Sequence, residues 1–294
     1  MTPTNKGVVT LAANQAGDAN YSTASQVTTS FLVTLLPQSI GPFSGIITNG
    51  TIPYSPKPIS VALPKSTSTL ATKLSILSGP ATVVGSTMSL SGIGTVTLAA
   101  NQSGNGKFAP APQTTITFVV TKSSQTIALF TGIKEQIPYT PVSFDVTIPK
   151  ASSGLPVTLS ASGAATSINN NIIQLTGVGT VTLTATTGGS RDYLVGYRTT
   201  NFVVTQASQT IKPFKPIVAQ TNMVPFTLTN VPTASSGLPI SLGISSGFAT
   251  IVTNSSTSYT ITPTNNGSVT LVASQPGDPD YLAAHPVTVT FKVK

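Results

Sequence analysis

The stretch Gly94-Thr95-Val96-Thr97-Leu98-Ala99-Ala100-Asn101-Gln102-Ser103-Gly104-Asn105-Gly106-Lys107-Phe108 decides how this chain reads. Val96, Leu98 and Ala100 alternate with Thr95, Thr97 and Asn101. A period of two with one apolar side is a strand with one face buried and one wet. The strand runs into a Gly/Asn turn closed by an aromatic. A second alternating strand follows, with Ile116, Phe118 and Val120 on its apolar side. Two half-buried strands around such a turn predict a hairpin.

The pattern occurs four times. Its glycines are Gly7, Gly94, Gly179 and Gly267, and its aromatics are Tyr21, Phe108, Tyr193 and Tyr281; both series step by 87, 85 and 88 residues. A fixed period of this size marks tandem repeats. Other positions keep the same spacing. Gln38-Ser39-Ile40 with Phe43 matches Gln125-Thr126-Ile127 with Phe130, and Gln209-Thr210-Ile211 with Phe214. Ile52-Pro53-Tyr54 matches Ile137-Pro138-Tyr139. Ser152-Ser153-Gly154-Leu155-Pro156 matches Ser235-Ser236-Gly237-Leu238-Pro239.

About seven short strands fall in each repeat, with turn signals every eight to twelve residues. This predicts an all-β fold of tandem immunoglobulin-like β-sandwiches, strung as an extended rod. The expected boundaries are a C-terminal half repeat over 1–35 and full repeats over 36–121, 122–205 and 206–294. Pro3-Thr4-Asn5-Lys6-Gly7 matches Pro263-Thr264-Asn265-Asn266-Gly267 late in the last repeat. The chain therefore reads as a piece of a longer protein, with any signal and anchor outside it. The links, such as Thr121-Lys122-Ser123-Ser124, are only about four residues long, which favours a moderately stiff string over free beads.

Composition narrows the function. Charged residues make up 7% of the chain, and Cys and Trp are absent, so disulfides and thiolate metal sites are excluded. No apolar run is long enough for a membrane-spanning helix. The net charge is +8, yet the lysines are scattered singly and only Arg191 and Arg198 are arginines. A nucleic-acid surface clusters its cations and interleaves aromatics, so a nucleic-acid partner is not expected.

The combination Ser-Gly-Leu-Pro, Gly-Thr-Val-Thr-Leu and Gly-Asp-x-x-Tyr resembles bacterial Ig-like tandem repeats of large cell-surface and secreted, adhesin-type proteins. The resemblance covers essentially the whole chain. The copy Gly104-Asn105-Gly106-Lys107-Phe108 departs from it by lacking the acid and the tyrosine. The resemblance implies a stalk or adhesive segment at the cell surface or outside the cell. It also leaves open a phage virion-associated Ig-like protein.

No chemistry repeats with the fold. The acids are Asp18, Glu135, Asp145, Asp192, Asp278 and Asp280, and the span 36–121 contains none. Acid hydrolysis needs two carboxylates across one cleft, and the single histidine, His285, serves no recurring triad. No catalytic residue and no bound cofactor are therefore expected. Calcium needs six to eight oxygen ligands; Asp278 and Asp280, with Asn265 or Asn266, are the weak candidates. Such Asp and Asn residues more often bond their own turn backbone. The recurring aromatics are expected to fold back and plug the ends of their own sandwiches. Arg191, Tyr193 and Tyr197 lie in loops that differ most between copies, and they are the candidate ligand-binding residues for host or cell-surface glycans or proteins.

Overall fold

The computed structural model describes residues 2, 4–45, 50–221 and 223–294; Pro3 of the N-terminal match lies outside them. The chain divides into two compact units, Met1–Gln125 with Gly189–Val195, and Thr126–Gly188 with Gly196–Lys294. All regular elements among the described residues are strands. Among the described residues no helix is long and apolar enough to cross a membrane.

The first unit opens with the antiparallel hairpin β1 (Gly7–Ala13) and β2 (Val27–Val33). It continues with β3 (Thr51–Pro53), β4 (Ile59–Ser60), β5 (Lys73–Ser78), β6 (Ala81–Val84), β7 (Thr87–Leu90), β8 (Gly94–Asn101) and β9 (Thr114–Thr121). These seven strands form a four-stranded sheet, β3-β9-β8-β5, and a three-stranded sheet, β4-β7-β6. β3 lies parallel to β9, and the other pairs are antiparallel. Val96, Leu98 and Ala100 of β8 are buried as the alternation reads, and Ala99 on the other face is buried as well. Val96 and Leu98 pack with Ile52, Phe118 and Val120 of their own sheet against Met88 and Leu90 of β7. At about 25 cal/mol per Å² of apolar area, one such buried Leu or Phe contributes roughly 2 kcal/mol.

In the second unit β10 (Gln136–Pro138), β11 (Phe144–Asp145), β12 (Val157–Gly163), β13 (Ala165–Ser167), β14 (Ile172–Leu175), β15 (Gly179–Thr187) and β16 (Gly196–Thr205) repeat this topology. Leu159, Val181, Leu183, Phe202 and Val204 face Ile173 and Leu175 across the core. Then β17 (Phe226–Leu228), β18 (Ser241–Ser246), β19 (Ala249–Ser255), β20 (Ser258–Pro263), β21 (Gly267–Gln275) and β22 (Ala284–Val293) form two three-stranded sheets. Here the first parallel strand shrinks to a bridge between Gln220 and Val293. The third core joins Val269, Leu271 and Phe291 to Tyr259 and Ile261. The fold is thus a tandem array of all-β, Ig-like sandwiches.

The hairpin β1–β2 keeps the pattern without the cover. Leu11 and Phe31 are 38% and 44% exposed, whereas Leu98 and Phe118 at the matching positions are 0% and 1% exposed. A lone pair of strands has no second sheet to bury its apolar side.

The Ser-Gly-Leu-Pro turn shows why its glycine recurs. Gly154 and Gly237 sit at φ 76° and 80°, where a Cβ crowds the backbone. The matching residue in the first sandwich is Thr69, held at φ 63°. A β-branched residue there is strained by roughly 1–2 kcal/mol. Replacing Thr69 by Gly relieves that strain, offset in part by the greater freedom of glycine in the unfolded chain. Thr69→Gly is expected to stabilise the first sandwich by about 0.5–1 kcal/mol, measured as a higher midpoint in thermal or urea unfolding; a lower midpoint contradicts it.

Candidate functional site

The element that recurs with most detail is the turn ending in the aromatic. In each copy one small polar residue folds it. Asp18 Oδ1 accepts from Asn20 and Tyr21 N–H at 2.8 and 3.0 Å. Asn105 Oδ1 accepts from Lys107 and Phe108 at 2.8 and 2.9 Å. Ser190 Oγ accepts from Asp192 and Tyr193, both at 3.1 Å. Asp278 Oδ1 accepts from Asp280 and Tyr281 at 2.9 and 2.8 Å. Asn and Ser therefore replace the acid of the motif without changing its job, because an Asx or Ser turn needs only a short side-chain acceptor. The backbone N–H of the same residue donates to the carbonyl of the aromatic in all four copies.

A buried pair of glutamines holds this turn to the first residues of its own sandwich. Gln38 Nε2 donates to Gln102 Oε1 at 2.5 Å and to the Ala109 carbonyl at 2.6 Å. Gln102 Oε1 also accepts the Gly104 N–H at 2.6 Å, and Ser68 Oγ donates to Gln38 Oε1. Gln209, Gln275, Ser236 and Gly277 repeat the set, with Leu282 supplying the carbonyl. These amides are over 90% buried. Satisfied at both ends they fix geometry; left with one end open they cost about 1–3 kcal/mol. The Gln-Ser/Thr-Ile opening motif is explained by this bracket. In the middle copy Thr187 stands in place of Gln102 and Gln275. Its Oγ1 is buried with no hydrogen-bond partner among the described residues, while Gln125 Nε2 reaches the Leu194 carbonyl at 2.5 Å.

The turn then captures the linker. Leu36 N–H donates to the Lys107 carbonyl and the Leu36 carbonyl accepts Ala109 N–H, both at 2.9 Å; Ser123 does the same between Asp192 and Leu194, and Ala207 between Asp280 and Leu282. Each linker residue thus forms a parallel bridge with Phe108, Tyr193 or Tyr281. From the other side, Tyr54 and Tyr139 N–H reach the Thr121 and Thr205 carbonyls at 2.8 Å.

Tyr193 and Tyr281 do not plug their own sandwiches. The Tyr193 ring meets Tyr54 edge-on with centroids 5.6 Å apart, inside the first unit, and Tyr281 meets Tyr139 at 5.5 Å, inside the second. The parallel bridges at Ser123 and Ala207 turn these two rings toward the Ile-Pro-Tyr strand of the preceding copy. Carboxylates complete the contact. Asp192 Oδ1 accepts Ile93 N–H at 3.1 Å, and Asp280 Oδ1 accepts Val178 N–H at 2.9 Å. Partial burial, then Asp280, Tyr281 and Asp278, raise the Tyr139 hydroxyl above the ordinary tyrosine range.

The candidate residues fall into place around these contacts. Asp278 folds its own turn, and Asp280 reaches the Val178 backbone. No group of three or more His, Cys, Asp or Glu able to hold a metal lies among the described residues. Arg191 lies against Gly92, where an added Cβ would sit 3.1 Å from the guanidinium carbon. Tyr193 lies against Tyr54, and Tyr197 projects from β16 at 78% exposure. Arg191 and Tyr193 are brought together at the joint. The sequence showed the recurrence of Tyr54 and Tyr139 but not their partners, which lie more than 130 residues away.

No protein-family profile matches the chain, and no curated protein matches it. Among solved structures, Drosophila N-cadherin EC1-4 is 12% identical over 100% of this chain and 85% of its own, with a TM-score of 0.28. Surface layer protein SbsC, domains 1-6, is 10% identical over 99% of this chain and 45% of its own, TM-score 0.29. Sidekick-1 immunoglobulin domains 1-4 are 8% identical over 99% and 95%, TM-score 0.26. Similarity at this level carries no argument about function.

An edge-to-face pair is worth about 0.5–1.5 kcal/mol beyond its area. A double-mutant cycle on Tyr139→Ala and Tyr281→Ala, read by calorimetry of the full chain, is expected to give a coupling of about 1 kcal/mol; strict additivity contradicts the contact. Gln209→Leu leaves the Gln275 and Ser236 groups without their amide partner and is expected to cost about 2–3 kcal/mol in unfolding of the last sandwich.

Proposed function

We propose that this chain is a non-enzymatic structural or adhesive repeat segment of a bacterial surface or secreted protein, acting as a stalk or spacer, with sandwiches over 36–121, 122–205 and 206–294 after a half repeat. The observation that carries this reading is the treatment of the linkers. What recurs around Leu36, Ser123 and Ala207 is a set of backbone contacts that ties each linker into folded structure, joined at the latter two by a ring contact. That is the chemistry of mechanical continuity. The bacterial setting rests on the resemblance of the repeat motifs, and a phage virion is the other setting they fit.

Glycan or host-surface binding is the second reading. The exposed Tyr197 ring favours it, since an exposed aromatic face suits stacking on a sugar. Binding of the chain on a glycan array, lost in Tyr197→Ala, supports it; no signal counts against it.

The stalk reading is tested by pulling the full chain from its two ends in a force spectrometer. Three separate unfolding events are expected, each releasing about 250 Å of chain for a repeat of this length at ~3.5 Å per residue. One cooperative event for the whole chain, or no resolvable resistance, contradicts it.

A further inference from the structure

The residue two places before each recurring glycine receives the incoming turn, and it varies together with that turn. Gly92 receives Arg191-Asp192 and Gly177 receives Pro279-Asp280. A Cβ added at Gly92 would lie 3.1 Å from the Arg191 guanidinium and 3.3 Å from Asp192 Oδ1; at Gly177 it would lie 3.3 Å from Asp280 Oδ1. Both are tighter than ordinary van der Waals contact. The glycine lets the carboxylate come down onto the next N–H, that of Ile93 or Val178.

At the first joint the parts are exchanged. Asn5 stands in the receiving position, and the incoming turn is Gly106-Lys107. Now the glycine is on the turn, where an added Cβ would lie 2.9 Å from Asn5 Oδ1. The carboxylate is replaced by a lysine, and the joint leaves a cleft of about 380 Å³ bounded by Asn5, Lys6, Gly106 and Lys107. In the last copy the receiving residue is again an asparagine. Asn265 Oδ1 accepts the Asn266 N–H at 2.8 Å, the same N–H that takes a carboxylate at Ile93 and Val178. Asn265 thus caps that N–H itself, while Asn5 is the receiving residue that faces Gly106.

We infer that each joint carries a two-part specificity code, receiving glycine with incoming aspartate or receiving asparagine with incoming glycine, so that a turn docks only on a matching neighbour. The pairing is steric first, because a side chain added at Gly92, Gly177 or Gly106 presses on the polar end of the residue opposite and displaces it from its hydrogen-bonding position. It is polar second, because an aspartate needs an open N–H and an asparagine closes it. The partner of any such receiving loop is therefore a second repeat of this kind, sorted by the residues at these two positions. The code deepens the stalk reading on which it rests, since it states which contacts let consecutive repeats of one chain dock on each other.

The test exchanges the second-unit joint for the first-unit type in the full chain. Gly177→Asn alone is expected to weaken the Tyr139–Tyr281 ring contact, seen as a reduced NMR cross-relaxation signal. It is also expected to raise protease cleavage within 205–208 by about fivefold or more, the scale of a contact-level coupling. Adding Pro279→Gly and Asp280→Lys to Gly177→Asn is expected to return both readouts to within about twofold of the parent, a gain that independent damage cannot give. A triple variant as loose as Gly177→Asn, or a Gly177→Asn chain indistinguishable from the parent, overturns the code. Circular dichroism of each variant confirms that the sandwiches remain folded, so a lost joint is separated from a lost domain. The pulling experiment uses the parent chain alone, so its failure and failure of the exchange are distinguishable.

Discussion

The structure depends on a parallel bridge one residue wide. A linker amide and carbonyl, at Leu36, Ser123 or Ala207, close onto the backbone either side of the turn aromatic. Two neutral hydrogen bonds of this kind contribute only about 1–3 kcal/mol net. Their effect exceeds their strength because of position. They leave a short connection little freedom, and they aim the aromatic and its neighbouring residue at the loops of the preceding copy. The glutamine bracket sits directly behind the bridge, holding the glycine of the turn from inside the sandwich. In the second unit, core, bracket, turn, linker and ring contact form one continuous path.

This arrangement explains why a chain with 7% charged residues spends its few carboxylates as it does. Asp278 folds a turn, while Asp192 and Asp280 satisfy backbone N–H groups of a neighbouring loop. Bonds between a charged acceptor and backbone N–H are about twice as strong as neutral ones, so a single carboxylate is enough at each of the two joints that Asp192 and Asp280 serve. The wet faces of the strands use threonine instead, with cross-strand hydroxyl pairs such as Thr97 with Thr117 and Thr270 with Thr290. β-branched hydroxyl residues favour strands and pair without charge.

Much of the fold was legible in the sequence, because alternation and period are local signals. Val96, Leu98 and Phe118 face inward as their spacing requires, and the Ser-Gly-Leu-Pro and Gly-Asp-x-x-Tyr segments are turns. The joint was not legible. Tyr139 and Tyr281 are 142 residues apart (281 minus 139), and nothing in the pattern of either states that one copy's aromatic leaves its own sandwich. The bracket was hidden for a different reason. Gln38 and Gln102 are polar residues in polar surroundings of sequence, and only their mutual bond makes burial affordable. The signal that could have found both was coincidence between copies. Gln38 and Gln102 recur together as Gln209 and Gln275, and where the second member becomes Thr187 a buried hydroxyl is left without a partner among the described residues.

The central claim is that the linkers belong to the fold and are not tethers between folds. Native-state hydrogen exchange on the full chain tests it most directly, followed at the Leu36, Ser123 and Ala207 amides. The account predicts slow exchange at all three, approaching that of core-strand amides such as Val96 and Leu271. Exchange at the rate of an unstructured peptide, while the strands stay protected, would contradict it.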